Sequence, residues 1–261
     1  MPIVAIAYLI FLAAPVLLLG LGSFGESWSN TLLPSGFTVR WFQEVAGDPS
    51  FRRAFFTSLQ IVGTTCVLNL VVGLPLAYAI QAGAKGGVRF AARLVTLLPV
   101  AVPELVLAFG FILVFSSDAL PWLGSFWLLA AGHLVLTLPY TVTALVADME
   151  QLNLEEYEHA AATLGASFPA RLRDVTFPLL RTSLLSAMLT VAGLSIGEFQ
   201  LSNLVSGFLS RTYPVVLLQA FYGATGFACA ATLVLLFLAV LAALTSSLTA
   251  QFAQANKTKS A

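Results

Sequence analysis

Two acids stand inside stretches that are otherwise apolar, Glu104 within residues 94–114 and Glu198 within residues 182–210. A carboxylate held at mid-membrane costs roughly 2.5–3.5 kcal/mol on insertion scales, so an acid retained there faces a cavity, a water path or a partner. Pro99 and Pro103 flank the turn at Glu104 and free backbone carbonyls, as in the broken helices that line transport routes. Glu198 follows Gly197 and precedes Gln200, Ser202 and Asn203, a polar cluster late in its stretch. Such groups can solvate and pass a polar solute, and two carboxylates favour one carrying an amine or another cation. A hydrogen bond between helices is the competing reading of the same residues. His133, beside Gly132 in a further apolar stretch, reads as a packed, hydrogen-bonded side chain rather than a ligand or proton relay.

Bond-making chemistry has no such foothold. The chain lacks H-E-x-x-H, G-x-S-x-G and C-x-x-C, and it has no paired intramembrane aspartates. Gly83-Ala-Lys-Gly-Gly87 lacks phosphate-loop spacing, so any ATP chemistry belongs to another chain and no cofactor is expected on this one. Cys66 and Cys229 lie far apart in apolar surroundings, without disulfide or metal spacing, and read as small packing residues. The expectation is a channel-forming permease rather than an enzyme.

One polar segment, residues 148–179, carries more specific information. Asn153 is placed to cap a helix whose first turn holds Glu155 and Glu156, where the helix dipole favours acids. The run from Leu154 consists of good helix formers and ends at Gly165, a natural C-terminal stop. A second short helix follows Pro169, and Pro178 precedes the next apolar stretch. Tyr157, Ala160, Ala161 and Leu164 recur at three- and four-residue spacing, giving a weakly apolar stripe with small residues. That stripe fits either a docking face for another backbone or a segment lying on the bilayer or its own bundle.

The elements that must hold these groups follow from composition. With 59% hydrophobic and only 9% charged residues, the chain is far from a soluble domain, where about 25% charge is usual. Twelve basic and twelve acidic residues cancel, and no basic run offers a nucleic-acid surface. Apolar stretches long enough for a helix of about 20 residues place spans near 2–22, 57–80, 94–115, 126–147, 180–200 and 228–250, in a single all-α membrane domain over 1–261. The first stretch lacks a preceding charge and a following A-x-A site, so it reads as a retained helix rather than a signal peptide. Pro214, Gly223 and Gly226 make residues 212–226 a loop or re-entrant piece before the last span.

With the amino terminus inside, the inner segments hold Lys85, Arg89, Arg93, Arg171, Arg173, Arg181, Lys257 and Lys259; the outer ones hold Arg40, Arg52, Arg53 and Arg211. The bias agrees with the positive-inside rule and predicts a cytoplasmic amino terminus. Asp148 and Glu150 then mark the inner interface, and Trp28, Trp41 and Phe42 suit an outer aromatic belt.

The inner segment between the fourth and fifth spans resembles the cytoplasmic loop of permease subunits of ATP-binding-cassette importers, written EAA, three residues, G, nine residues, I, one residue, LP. Ala160 and Ala161 match its alanines, Gly165 its glycine, Val175 its isoleucine, Phe177 its leucine and Pro178 its proline, without a gap. The chain departs at the glutamate, which is His159 here with Glu158 one residue earlier. Trp41-Phe42, Thr57-Ser-Leu59, Leu98-Pro-Val-Ala-Val-Pro103 and Gly197-Glu-Phe199 extend the likeness to the type I subgroup serving polyamines, ferric ion, thiamine and phosphonates. Leu33-Pro-Ser-Gly-Phe-Thr38 is similar to a segment of 2-aminoethylphosphonate permeases.

The resemblance implies a six-helix permease in a bacterial inner membrane, forming half of a pathway with an identical or homologous second subunit. It implies a coupling loop over 149–178 in which Glu158, His159, Ala160, Ala161, Gly165, Val175 and Pro178 answer to a separate ATPase dimer that binds ATP. It also implies an extracytoplasmic solute-binding protein. An ion-driven secondary transporter or channel is the alternative, and there the two intramembrane acids would serve proton or sodium coupling.

Overall fold

A computed structural model describes residues 2–28, 31, 33–83 and 86–259. Lys85, counted above among the inner charges, lies outside the described residues, as do the side chains of Lys257 and Lys259. Helices dominate: α1 (Pro2–Phe24), α2 (Arg40–Gly47), α3 (Pro49–Leu68), α4 (Leu74–Tyr78), α5 (Gly86–Ala101), α6 (Glu104–Phe115), α7 (Phe126–Gln151), α8 (Leu154–Thr163), α9 (Phe168–Arg171), α10 (Phe177–Gly197), α11 (Gln200–Val205), α12 (Tyr213–Ala220) and α13 (Thr225–Lys259). Wide π-type turns at Asn69–Gly73, Ala79–Gly83 and Leu172–Thr176 join neighbours without a break, so Pro49–Gly83 and Phe168–Gly197 each run as one long rod.

Among the described residues, five helices are long and apolar enough to cross a membrane: Ile6–Phe24, Pro49–Gly83, Phe126–Gln151, Phe168–Gly197 and Thr225–Thr245. The stretch expected as a span over 94–115 passes the same test of length and apolarity only as a broken pair. It is two helices, α5 and α6, bent by 95°. The cause is local: Pro103, with φ −55° and ψ 134°, has no N–H to continue the ladder and takes an extended backbone. Three other boundaries also move. The second rod begins at Pro49 because the Asp48 carboxylate accepts the N–H groups of Ser50 (2.8 Å) and Phe51 (3.0 Å), capping it early. The fifth stretch ends at Gly197, and α11 is a separate short helix. Residues 213–220, within the piece expected as a loop or re-entrant segment, form the short helix α12, whose Tyr213, Val216 and Leu217 are buried.

α10 is central, packing against α13, α7 and α3, while α1 packs on α13. Three apolar clusters fill the bundle. At the start of α3, Trp41, Phe51, Tyr213 and Ala231 pack together. Midway, Ile61, Leu128, Leu129, Leu201 and Val205 close the α3–α7–α11 contact. At the far end, Ala77, Leu145, Met149, Leu154 and Leu180 join α4, α7, α8 and α10. Trp41 is therefore no interface anchor: it is buried, and its Nε1 donates to the Gly25 carbonyl at 2.7 Å. Asn69, fully buried, clamps α3 to α7: its Nδ2 donates to Thr137 Oγ1 and its Oδ1 accepts from Thr141, both at 2.8 Å. Most described side chains of α1 are by contrast exposed, Phe11 at 75%.

Candidate functional site

A cavity of about 350 Å³ lies where the α5–α6 elbow meets α7 and the α10–α11 break. Pro99, Glu104, His133, Tyr140, Glu198 and Gln200 are among its walls, so three of the four pathway candidates meet there. Asn203 does not line it; its backbone N–H continues α11 and its side chain is exposed. Each acid owes its place to a helix break. Glu104 is the first residue of α6, after the elbow, and Glu198 stands extended (φ −67°, ψ 127°) between α10 and α11. Both meet the partial positive charge of a helix start.

Glu198 is 9% exposed and fully hydrogen-bonded. Its Oε1 accepts the Leu201 N–H at 2.7 Å; its Oε2 accepts the Ser202 N–H at 3.0 Å and the Ser202 hydroxyl at 2.5 Å. Standing one residue before the cap position Phe199, it thus takes up the free N–H groups of the first turn of α11. Buried His133 completes the wall: Nδ1 is 2.7 Å from Ser195 Oγ, and Nε2 is 3.0 Å from Ser202 Oγ and 3.4 Å from Glu198 Oε2. The expectation of a packed, hydrogen-bonded His133 agrees with this geometry, although its ring also borders the cavity. The lining carries two acidic side chains and neither Lys nor Arg, beside His133, Tyr140 and Gln200, so the chamber is polar. A second cavity, about 490 Å³, shares Val100 and Tyr140 with the first and continues past Thr143, Asp148, Ser183 and Thr190.

Of the other candidates, Glu158, His159, Ala160 and Ala161 lie on α8, at the end of the bundle where the α3–α4 rod and α7 finish; Gly165 follows it, and Val175 and Pro178 stand at the entry to α10. Gly165 ends the helix as expected. With φ +85° it adopts the left-handed backbone that glycine tolerates, and the Gly165 and Ala166 N–H groups donate back to Ala162 and Ala161 carbonyls. The start of the helix differs from expectation. Asn153 takes a left-handed conformation (φ 49°) and its side chain makes no cap; its carbonyl instead accepts the Glu156 N–H at 2.9 Å.

The two glutamate-position residues face opposite ways. His159 is exposed, with its Nε2 3.6 Å from Glu155, while Glu158 is 7% exposed and turned into the bundle. Its Oε2 accepts from the Tyr78 hydroxyl at 2.6 Å, and its Oε1 accepts from the Thr176 hydroxyl. Tyr157, Ala160 and Leu164 lie on the exposed side; Ala161 is half-buried. Val175 packs at the fringe of the Leu145–Leu180 cluster and Pro178 occupies the first turn of α10. Sequence reasoning missed Tyr78 and Thr176. It could have found the inward turn of Glu158, because Glu158 lies four residues after the apolar Leu154 and shares its face.

Comparison with known proteins bears on the family and the fold. Residues 69–257 match the family described as binding-protein-dependent transport system inner membrane component. A putative 2-aminoethylphosphonate transport system permease protein, PhnV of Salmonella typhimurium LT2, is 28% identical over 216 residues, covering 82% of this chain and 80% of its own. The putrescine transport system permease protein PotI of Escherichia coli K12 is 24% identical over 218 residues, 80% of this chain and 75% of its own. A crystal structure of a bacterial ABC transporter involved in import of the acidic polysaccharide alginate shares the fold, with TM-score 0.70 at 18% identity over 97% of this chain and 93% of that one. A broken span beside an acid-lined cavity and a short helix between two long rods, in a chain so matched, lead to one assignment: this protein belongs to the inner-membrane component family of binding-protein-dependent transport systems, as a multi-pass permease subunit of an ABC importer.

Proposed function

We propose that the protein forms half of the translocation pathway of an importer for a small polar solute such as 2-aminoethylphosphonate or a polyamine, driven by ATP hydrolysis on a separate ATPase dimer. One observation carries the coupling part of this reading. α8 stands between α7 and α9–α10 with its Leu154 side buried and its Tyr157, Ala160 and Leu164 side exposed, so a partner can press on one face and move the bundle through the other. The excess of basic residues flanking that end supports a cytoplasmic amino terminus and a cytoplasmic α8. A second permease subunit completes the pathway, and a solute-binding protein delivers to its outer mouth. The solute class is supported by the chamber at Glu104 and Glu198, whose charge favours an amino group. The names of the PhnV and PotI relatives point the same way, since both solutes carry an amine.

Gly165→Asp tests the coupling. The φ of +85° strains any side chain at this position, and the new charge lies on the partner-facing end of α8. In cells expressing the complete importer, uptake of radiolabelled 2-aminoethylphosphonate and putrescine should fall to background while the permease remains in the membrane. Normal uptake of either solute by that variant would overturn the reading.

A further inference from the structure

We infer that Glu158 is the strut that makes α8 and the membrane rods move as one body, and that it acts inside its own subunit rather than against the ATPase; this rests on the coupling role proposed for α8. Its two oxygens are taken by hydroxyls from two separate elements, Tyr78 at the end of the α3–α4 rod and Thr176 at the entry to α10. The partners lie 80 and 18 residues away, so one carboxylate ties α8 directly to two elements that the chain connects to it only through intervening helices and turns. At 7% exposure it offers a partner little surface, only an edge of a cavity of about 240 Å³ that Tyr78 and Arg171 also line, whereas neighbouring His159 projects outward.

The surroundings explain why a polar tie is needed. Apolar contacts such as Leu154 against Met149 and Leu180 are non-directional and can slide. Hydrogen bonds to a charged acceptor are stronger and fix orientation. Both donors also adjoin irregular backbone: Tyr78 directly precedes the π turn Ala79–Gly83, and Thr176 ends the π turn Leu172–Thr176. Single π turns interrupt the regular helical ladder and are frequent at functional sites. The Tyr78 ring meets the Phe168 ring of α9 edge-on at 6.0 Å. Push on the exposed face of α8 therefore reaches both rods through Glu158.

The test uses the full importer with its ATPase and binding protein in nanodiscs, in a Cys66→Ala, Cys229→Ala background. Spin labels sit at Ala162 on α8 and Leu185 on α10, both exposed. The unaltered strut should give one narrow label distance, the same with and without vanadate-trapped nucleotide. Glu158→Gln should broaden it or add a second population, and ATP-driven uptake of 2-aminoethylphosphonate or putrescine should drop about tenfold while ATP hydrolysis persists, as loss of charge-assisted bonds implies. Tyr78→Phe should do the same more weakly and add little to Glu158→Gln, since both cut one tie. If Glu158→Gln fails to insert, Tyr78→Phe alone carries the comparison. Glu156→Gln, an exposed change on the same helix, serves as control. An unchanged distance distribution in the strut variants overturns the inference, as does loss of ATPase binding with the distance intact. Either result leaves Gly165→Asp to judge the coupling role separately.

Discussion

Glu158 and Glu198 are both buried carboxylates with every oxygen engaged, yet they are built in opposite ways. Glu198 draws its donors from the next few residues, Leu201 and Ser202, and so finishes a local turn. Glu158 draws its donors from Tyr78 and Thr176, across the bundle. The first arrangement fixes one residue's place and leaves its charge beside a cavity. The second fixes the relation of separate segments, with both oxygens committed to hydroxyls at the edge of a smaller cavity. A buried acid in a membrane bundle can thus be a positioned charge or a tie, and the sequence distance to its donors tells which.

Substitutions sharpen that contrast. The largest effect is expected from Glu198→Ala, which strands the Leu201 and Ser202 N–H groups and the Ser202 hydroxyl in a buried place at about 3 kcal/mol in all. Thermal unfolding of the purified permease in detergent should register this as a marked loss of stability. Glu198→Gln keeps an acceptor and should restore most of the stability; if it is as unstable as the alanine variant, the charge rather than the cap holds α11. A smaller effect, about 1–2 kcal/mol, is expected from Tyr78→Phe, which leaves Glu158 with one hydroxyl. In the same assay, an unaltered melting profile for Tyr78→Phe would mean that the tie to the α3–α4 rod carries no tension at rest. The smallest is Glu156→Gln on exposed α8 surface, which should stay within about 0.5 kcal/mol. A larger loss there would mean that α8 is held by its surface charges as well as by Glu158.

Much of this was legible in the order of residues. Pro103 announced a break at Glu104, Gly165 announced the end of α8, and the two isolated acids announced a cavity, because each reflects a local rule that needs no partner. The remainder depended on what packs against what. Trp41 looked like a belt residue, since an indole at a segment edge serves a lipid interface and a buried carbonyl equally well, and only the approach of Gly25 decides. Asn153 has the right side chain to cap, but its backbone is left-handed and turns that side chain away. The Asn69 clamp and the Tyr78–Glu158–Thr176 tie span tens of residues, and no spacing rule within one helix reports a donor on another.

The π turns at Asn69–Gly73, Ala79–Gly83 and Leu172–Thr176 have a further consequence. A turn that closes one residue later than an α-turn holds one surplus residue, and a residue is worth about 100° of rotation around the axis. Each rod therefore presents one stripe to its neighbours before the turn and a different stripe after it. Like a screw with a changed thread, it can keep one half seated in the bundle while the other half turns. Deleting a single residue from Ala79–Gly83 would straighten the ladder yet swing everything beyond it out of register, so the chain's reading frame in space, and not only its composition, is stored in these three turns.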